Sequence, residues 1–306
     1  MNKKNIEDID VARKKIIMRA DFNVPVQNGN IKDNSRIMAA LPSIKYLLQK
    51  KAAVILMSHL GRPKGEKKPE FSLKPVADEL QKLLGQEVKF APDCIGEEVK
   101  AAADSLQEGE VLLLENLRFH KEEKTKDDNL RKEFAGKLAS LAEIYINDAF
   151  GTAHREHAST ANIAAFLPSA CGYLIEKEIK YLGQAVSRPQ KPMTAILGGA
   201  KISDKIPIIK QLLSKADNII IGGGMAYTFY KAQGMEVGKS LLDNELIDTC
   251  KEFLEKGRGK IILPVDVKVT KDFDFSNMSL TSELTTVSVN NIPADKEGLD
   301  IGEQTI

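Results

Sequence analysis

Several polar side chains in the first half of the chain lie at positions from which they could bind a small anion. Four arginines, one histidine, one aspartate and one asparagine make up this set: Asp21, Asn23, Arg36, His59, Arg62, Arg118 and Arg155. Arginine binds phosphate and carboxylate groups through two parallel hydrogen bonds. If these side chains converge on one crevice, they predict a site for a small molecule with several negative charges. Each arginine taken alone could instead be a surface residue in an ion pair.

Short apolar runs of strand length must position these residues. The run Ala53–Met57 has no polar alternation, which is typical of a strand buried on both faces of a parallel sheet. Other strand candidates are 16–20, 88–91, 111–115 and 144–146, and the helix candidates between them are 36–50, 73–84, 95–106 and 129–142. This alternation predicts βαβ units, in which ligands bind outside the carboxyl ends of the strands. Ser35 is expected to cap helix 36–50 and to place Arg36 in its first turn, although Pro42 could delay or bend that helix.

A similar pattern in the second half of the chain carries glycines and lysines. Strand candidate 193–197 is followed by Gly198 and Gly199, and then by Lys201 and Lys205. This arrangement is typical of a phosphate cradle, because glycines let the backbone approach the oxygens and lysines one helical turn apart add charge. A tight turn from strand to helix would need the glycine pair in any case. Further strand candidates are 218–221 and 260–264, with a helix candidate at 243–256.

Two other glycine-rich segments match nucleotide-binding motifs only in part. Gly222–Gly224 begins like a dinucleotide fingerprint, but Tyr227 occupies the place of the third glycine. Gly234–Ser240 has three residues between its glycines where a P-loop requires four. A nicotinamide-dependent oxidoreductase and a P-loop enzyme are therefore disfavoured.

The composition narrows the class of protein. The 306 residues suggest two domains, and 44 basic against 43 acidic side chains argue against a general nucleic-acid or membrane-surface role. No apolar run approaches the roughly 18 residues of a membrane span, and the charged N-terminus is unlike a secretory signal. We therefore expect a cytoplasmic protein that binds neither nucleic acid nor membrane.

Neither the cysteines nor the histidines predict a metal site. The three cysteines, Cys94, Cys171 and Cys250, are far apart in sequence and are expected to be packing thiols. His154 and His157 are three residues apart but have no third ligand beside them. We therefore predict no metal ligand in the protein itself.

Seven segments carry a combination of motifs that extends over the whole chain. They are Arg19–Pro25, Ser58–Pro63, Leu114–Phe119, Asn147–Arg155, Leu197–Lys205, Ile221–Ala226 and Gly298–Gly302. Together they resemble the phosphoglycerate kinase family. The resemblance implies an α/β fold with two doubly wound, Rossmann-like parallel-sheet lobes joined by a helix. The implied domains are a phosphoglycerate-binding lobe at 1–170, an interdomain helix at 171–188 that acts as a hinge, and a nucleotide-binding lobe at 189–306.

The resemblance also implies a reaction. Members of the family transfer a phosphoryl group reversibly between 1,3-bisphosphoglycerate and MgADP, giving 3-phosphoglycerate and MgATP in glycolysis. They are usually monomeric, and Mg²⁺ is bound with the nucleotide. Family members continue past Ile306, so the second lobe is expected to be incomplete. The chain is then either a fragment or a natural truncation.

The implied site residues form two sets. The substrate-binding set is Asp21, Asn23, Arg36, His59, Arg62, Arg118 and Arg155, and the nucleotide-binding set is Gly199, Ala200, Lys201, Lys205, Gly223, Gly224 and Gly298. His59 and the three later arginines are implied to hold the phosphate that is not transferred, and Asp21 and Asn23 to contact the glycerate. Arg36 and Lys201 are implied to be catalytic, because they would stabilise charge on the moving phosphoryl group. The alternative function is a 3-phosphoglycerate-binding module with little or no turnover.

Overall fold

The computed structural model describes residues 3–27, 29–187, 190–274, 277 and 279–306. They belong to two compact units, Met1–Gly183 and Gln184–Ile306. The boundary falls within one long helix, Tyr173–Ser187. The predicted connecting segment 171–188 contains this helix, but its last residue, Arg188, lies outside the described residues. Within the described part of the chain, no helix is long and apolar enough to cross a membrane.

Strands and helices alternate along the first unit. Its strands are β1 (Lys15–Arg19), β2 (Val26–Gln27), β3 (Asn30–Ile31), β4 (Ala53–Met57), β5 (Val88–Phe90), β6 (Val111–Leu113), β7 (Ile144–Asn147) and β8 (Ser169–Cys171). Its helices are α1 (Ser35–Gln49), α2 (Lys74–Leu84), α3 (Glu97–Asp104), α4 (Asp128–Ala139) and α5 (Phe150–Ala153), followed by α6 (Tyr173–Ser187).

Six of these strands form one parallel sheet in the order β5-β6-β4-β1-β7-β8. Successive side chains of a strand point to opposite faces. Ile16 and Met18 of β1 accordingly pack with α1 and α2, whereas Ile17 packs in a second core with Val99 of α3 and Phe134 of α4. The predicted sheet, wound with helices on both faces, is thus confirmed for the first unit.

The start of α1 differs from the prediction. Ser35 is the first residue of the helix, and Asn34 occupies the N-cap position. Oδ1 of Asp33 accepts the backbone N–H of Ser35 at 2.8 Å and also accepts the Ser35 hydroxyl, so the Ser35 side chain is directed toward Asp33. The start of the helix is not delayed by Pro42, which lies inside it.

The second unit combines a parallel and an antiparallel sheet. Its strands are β9 (Thr194–Leu197), β10 (Asn218–Ile221), β11 (Ile261–Ile262), β12 (Asp266–Thr270), β13 (Phe273–Asp274), β14 (Ser279–Leu280), β15 (Thr285–Ser288) and β16 (Glu297–Ile301). Its helices are α7 (Ile206–Lys215), α8 (Ala226–Ala232) and α9 (Ile247–Gly257). The parallel sheet has the order β11-β10-β9, and the antiparallel sheet has the order β15-β12-β16.

The antiparallel sheet was not anticipated from the sequence. In β12, Val267 and Val269 are buried in the core of the second unit. The α/β class is nevertheless confirmed. On the parallel sheet, Ile219 and Ile221 face the core, whereas Ile196 is 76% exposed and Ile262 is 44% exposed.

The start of α6 yields a stability prediction. Oδ1 of the buried Asp148 accepts the backbone N–H groups of Leu174 and Ile175 at 2.9 and 3.2 Å, and a Cβ added to Gly172 would collide with this carboxylate. We therefore expect Gly172→Ala to reduce the free energy of unfolding by about 2–4 kcal/mol. Urea denaturation measures the change.

A glycine later in α6 provides the matched control. A Cβ added to Gly183 meets nothing within 4 Å, so Gly183→Ala should leave the stability unchanged or raise it by up to about 1 kcal/mol, because alanine is the better helix former. Equal stability of the Gly172→Ala variant and the parent chain would contradict the collision.

Candidate functional site

The structure brings all seven residues of the predicted substrate-binding set to one cavity. The cavity has a volume of about 530 Å³. It is lined by Asp21, Asn23, Arg36, His59, Gly61, Arg62, Arg118, Lys124, Gly151, Thr152 and Arg155. Four of these residues were missed from the sequence: Gly61, Lys124, Gly151 and Thr152. Lys124 lies in the charged run after Arg118, where no buried strand directly precedes it.

Four strands of the parallel sheet are followed, beyond their carboxyl ends, by residues that line this cavity. Asp21 and Asn23 follow β1, His59 follows β4 and Arg118 follows β6. Arg155 follows β7 by way of α5. Arg36 lies in the first turn of α1. The residues are therefore collected from segments far apart in sequence because parallel strands end at the same edge.

Arg36 is oriented by a carboxylate. Its Nη1 donates to Oδ2 of Asp21 at 2.8 Å, and the Asp21 side chain is 12% exposed whereas that of Arg36 is 53% exposed. A Cβ added to Gly151 would lie 2.7 Å from the same Oδ2 atom. The small residue thus leaves room for the Asp21 carboxylate, which fixes the guanidinium while most of its donors stay accessible.

Arg118 is buried among other cations. Its Nη1 donates to the carbonyl of Gly61 at 2.8 Å, and the N–H of Gly61 donates to Oδ1 of Asn23 at 2.8 Å. The Nε atom of Arg118 is buried without a hydrogen-bond partner among the described residues. The pKa of Arg118 is lowered to about 10, mainly by burial and then by the charges of Arg19, Arg155 and Arg62. The negative charge of Glu123 raises this pKa and offsets part of the shift. An anion in the cavity would relieve this cost.

His59 is held neutral. Burial, together with the charges of Arg19 and Arg118, moves its pKa far below the ordinary value. Nη2 of Arg19 lies 3.0 Å from Nδ1 of His59. An arginine has no acceptor, so Nδ1 must accept this hydrogen bond and the imidazole proton lies on Nε2. His59 therefore offers the cavity a neutral N–H donor.

His157 lies near the same cations and yields a prediction about pH. The pKa of His157 is lowered to about 4, mainly by burial and then by the positive charges of Arg118, Arg19, Arg155 and Lys124. Unfolded His157 binds a proton below about pH 6.5 and the folded form only below about pH 4, so protons favour the unfolded chain in this window. We expect His157→Gln to reduce the loss of stability between pH 6.5 and 5 by about 1–2 kcal/mol. Urea denaturation at several pH values measures it.

A comparison of two histidine variants separates the effect of His157 on the pH dependence of stability from that of Glu123. Oε1 of Glu123 lies 3.8 Å from Nδ1 of His157, and burial raises the pKa of this carboxyl, which tilts the pH dependence of stability the opposite way. His154→Gln, at an exposed histidine, serves as the control. An unchanged pH dependence in the His157→Gln variant would contradict the assignment.

One group of possible metal ligands occurs among the described residues. Atoms of Asp93, Cys94 and His120 lie within 4.8 Å of one another. Oδ1 of Asp93 is 2.6 Å from Nε2 of His120 and also accepts the N–H of Cys94 at 2.6 Å. These bonds account for the grouping, and we assign it no metal.

The predicted nucleotide-binding residues lie in the second unit: six of the seven follow β9 or β10, and Gly298 lies in β16. Gly199 has φ +151°, and a Cβ on Gly223 would lie 3.0 Å from the Gly199 nitrogen, so these loops require glycine for their close approach. A Cβ on Gly224 would lie 3.2 Å from the carbonyl oxygen of Ala200. Gly298 donates its N–H to the Ser240 hydroxyl at 2.9 Å, and a Cβ there would overlap the Tyr227 hydroxyl.

The lysine spacing differs from the prediction. Lys201 lies in the loop, Lys205 ends a single 3-10 turn at Ser203–Lys205, and α7 begins at Ile206. Pro207 in the first turn of α7 restricts where the helix can begin. The two lysines are therefore not one turn apart on a helix.

A groove of about 400 Å³ in the second unit includes part of the glycine loops. Gly198, Gly222 and Gly223 line it together with apolar residues of β9 to β11 and with Asp300. Its lining does not include Lys201, Lys205 or Gly298 among the described residues. Among the described residues, Gly223 is therefore the single member of the predicted nucleotide-binding set that lines this groove.

The family model for phosphoglycerate kinase matches residues 6–306. The chain belongs to the phosphoglycerate kinase family. It is 54% identical over 310 residues to phosphoglycerate kinase from Clostridium botulinum (strain Alaska E43 / Type E3), covering 99% of this chain and 76% of the relative. It is 53% identical over 312 residues to phosphoglycerate kinase from Clostridioides difficile (strain 630), covering 100% and 76%.

Solved structures of the family agree with the fold. A structure of phosphoglycerate kinase from Coxiella burnetii matches with a TM-score of 0.82 and 38% identity, covering 99% of this chain and 75% of that one. A crystal structure of phosphoglycerate kinase from Pyrococcus horikoshii OT3 matches with a TM-score of 0.81 and 29% identity, covering 99% and 76%. The relatives are kinases, that is, phosphotransferases.

Proposed function

We propose that the chain is a phosphoglycerate kinase that transfers a phosphoryl group reversibly between 1,3-bisphosphoglycerate and MgADP, giving 3-phosphoglycerate and MgATP. The observation that carries the proposal is the cavity of about 530 Å³ with His59 and four arginines in its lining. A small phosphorylated carboxylic acid matches that cavity in charge and in its demand for hydrogen-bond donors.

The cavity suggests a division of roles. Arg62, Arg118 and Arg155, with the neutral N–H donor of His59, bind the phosphate that stays on the substrate. Asp21 and Asn23 bind the glycerate hydroxyl and orient the neighbouring groups. Arg36 is the catalytic arginine at the carboxyl end of the substrate. Its exposed guanidinium, fixed by Asp21, would hydrogen-bond to the transferring phosphoryl oxygens.

The nucleotide is proposed to bind on the glycine loops of the second unit. Gly199, Ala200, Lys205, Gly223, Gly224 and Gly298 would contact the nucleotide, and Lys201 would add charge at the transferring phosphoryl group. Asp300 is the one carboxylate among the described residues that line the neighbouring groove. Mg²⁺ keeps several waters and binds through substrate phosphates, so the proposal places it on the nucleotide and gives it no ligand among these residues.

The chemistry requires no covalent intermediate with the protein. Phosphoryl transfer depends on in-line positioning and on positive charge near the equatorial oxygens of the moving group. Arg36 and Lys201 supply that charge in this proposal, while the remaining cations fix the acceptor. The same residues serve both directions because the transition state is common to both.

Calorimetric titration with 3-phosphoglycerate, and separately with MgADP, tests the binding steps. We expect 3-phosphoglycerate to bind at a 1:1 ratio, and a coupled assay should detect ATP formation from the acyl phosphate. Failure to bind 3-phosphoglycerate would overturn the proposal. Binding of 3-phosphoglycerate without measurable turnover would favour the alternative, a 3-phosphoglycerate-binding module.

We further propose that the protein acts in glycolysis, in the cytoplasm and as a monomer. The support is the family, whose reaction is a step of glycolysis. Sedimentation velocity tests the oligomeric state, and a concentration-dependent dimer would contradict a monomer.

A further inference from the structure

A buried polar network lies beside the anion cavity, and the roles proposed above leave it unexplained. Arg19 and Glu123 are both completely buried, as is Ser159 between them. A buried charge is costly unless its hydrogen bonds and its counter-charge are provided. The arrangement of these three residues therefore needs a functional or structural reason.

Arg19 is the last residue of β1, and its guanidinium is fixed by several partners. Nε donates to the Ser159 hydroxyl at 3.0 Å, and Nη2 donates to Nδ1 of His59 at 3.0 Å. Nη1 donates to the carbonyl of Ala20 and, at 3.4 Å, approaches the Ser58 hydroxyl. These bonds leave the guanidinium a single orientation.

Glu123 is the counter-charge, and it acts through Ser159. Its Oε1 accepts the Ser159 hydroxyl at 2.7 Å, and its Oε2 accepts the Ser159 backbone N–H at 3.1 Å. Of the charges around Arg19, that of Glu123 acts on it most strongly. The carboxylate and the guanidinium are therefore bridged by one hydroxyl group.

The direction of each hydrogen bond follows from the chemistry of the groups. An ionised carboxylate only accepts, so the single hydroxyl proton of Ser159 is given to Glu123. The Ser159 oxygen is then free to accept from Nε of Arg19. Arginine only donates, so Nδ1 of His59 accepts and the imidazole proton remains on Nε2.

We propose that Glu123 and Ser159 are positioning residues, which act through Arg19 to hold His59 in the neutral tautomer that donates its Nε2 proton to a bound phosphate. The identity of that phosphate ligand as 3-phosphoglycerate rests on the proposed function, whereas the tautomer does not. The network thus gives an anion site one donor whose direction does not change with pH near neutrality.

The first test is the tautomer of His59 in the ligand-free protein. The chain has four histidines, so selective ¹⁵N labelling and long-range proton–nitrogen correlation spectra give a small set of signals. We expect His59 to show a protonated Nε2 and an unprotonated Nδ1 at every pH from about 5 to 8. A cationic or Nδ1-protonated His59 in this range would overturn the proposal without any variant.

The second test breaks the bridge without removing a charge. Ser159→Ala should let the Arg19 guanidinium rotate, mix the two His59 tautomers and weaken the binding of inorganic phosphate about tenfold. Ser43→Ala is the matched control, because Ser43 is another completely buried serine and accepts the N–H of Tyr173 at 2.9 Å, outside the cavity lining. The control should lose stability but keep both the tautomer and the phosphate affinity.

The third test separates positioning from the overall electric field. Glu123→Gln removes a negative charge close to the cavity, so a purely electrostatic role predicts tighter phosphate binding. A positioning role predicts weaker binding together with a mixed tautomer of His59. An unchanged tautomer in both the Ser159→Ala and Glu123→Gln variants would overturn the proposal.

Inorganic phosphate and 3-phosphoglycerate serve as separate probes. If phosphate binding and the tautomer respond as expected but 3-phosphoglycerate binds no better than phosphate, the positioning role stands and the proposed function fails. If 3-phosphoglycerate binds tightly while the tautomer is insensitive to Ser159, the proposed function stands and this inference fails.

Discussion

Arg118→Met should weaken the binding of 3-phosphoglycerate about 100-fold, because it removes charge-assisted hydrogen bonds from a buried position. The Arg118 side chain is almost fully buried in the cavity wall, and its Nε has no hydrogen-bond partner among the described residues. A buried donor without a hydrogen-bond partner favours ligand binding, because its water was already removed when the protein folded.

The same substitution should leave the free energy of unfolding nearly unchanged or increase it. The substitution removes the hydrogen bond from Arg118 to the Gly61 carbonyl, which costs about 1 kcal/mol of stability. It also removes a buried cation that is repelled by Arg19, Arg62 and Arg155, and this change raises stability. Calorimetric titration and urea denaturation measure the two effects. Arg13→Met is the control, because Arg13 is 67% exposed and lies outside the cavity lining.

A joint loss of stability and affinity in the Arg118→Met variant would show that Arg118 maintains the fold rather than the ligand site. Affinity within twofold of the parent chain would remove Arg118 from the phosphate-binding set. The two measurements together therefore separate a binding residue from a structural one.

Arg36→Ala should reduce turnover about 10³-fold relative to the parent chain while changing 3-phosphoglycerate affinity less than about fivefold. A group that stabilises charge only in the transition state affects the rate far more than it affects ground-state binding. The half-exposed guanidinium of Arg36, which Asp21 holds at 2.8 Å, fits that role better than a role in packing.

Two further variants sharpen this test. Arg36→Lys keeps the charge but loses the planar donor pair, so we expect it to recover only part of the lost rate. Lys201→Ala is expected to lower turnover to a similar extent, because Lys201 is proposed to act on the same phosphoryl group. Turnover close to that of the parent chain in Arg36→Ala would contradict the catalytic role.

The fold was predictable where local pattern decides it. The uninterrupted apolar run of β4 indicated a fully buried strand, and the bounds Ala53–Met57 are confirmed. The antiparallel strands β12, β15 and β16 were not predicted, because their sequences, DVKVT, TTVS and EGLDI, contain no uninterrupted apolar run. The N-cap of α1 was misplaced by one position, because Ser35 is the first helical residue and its hydroxyl donates to Asp33.

The sequence by itself determined seven of the eleven residues that line the anion cavity, and the physical reason is topological. Residues that directly follow buried parallel strands meet at one edge of the sheet, so the spacing of Asp21, His59, Arg118 and Arg155 along the chain was sufficient. This argument did not predict Lys124, because Lys124 lies six residues beyond Arg118 in a charged segment.

Only the tertiary structure decided the protonation and orientation of the groups in that cavity. Ser159 is 140 residues from Arg19 and 36 residues from Glu123 in sequence, and no spacing rule connects them. The pKa of His59 is lowered by burial and by the cations packed around it, which are properties of the folded environment. The sequence shows which residue types reach the cavity. Desolvation and the direction of each hydrogen bond are set only when distant segments pack together.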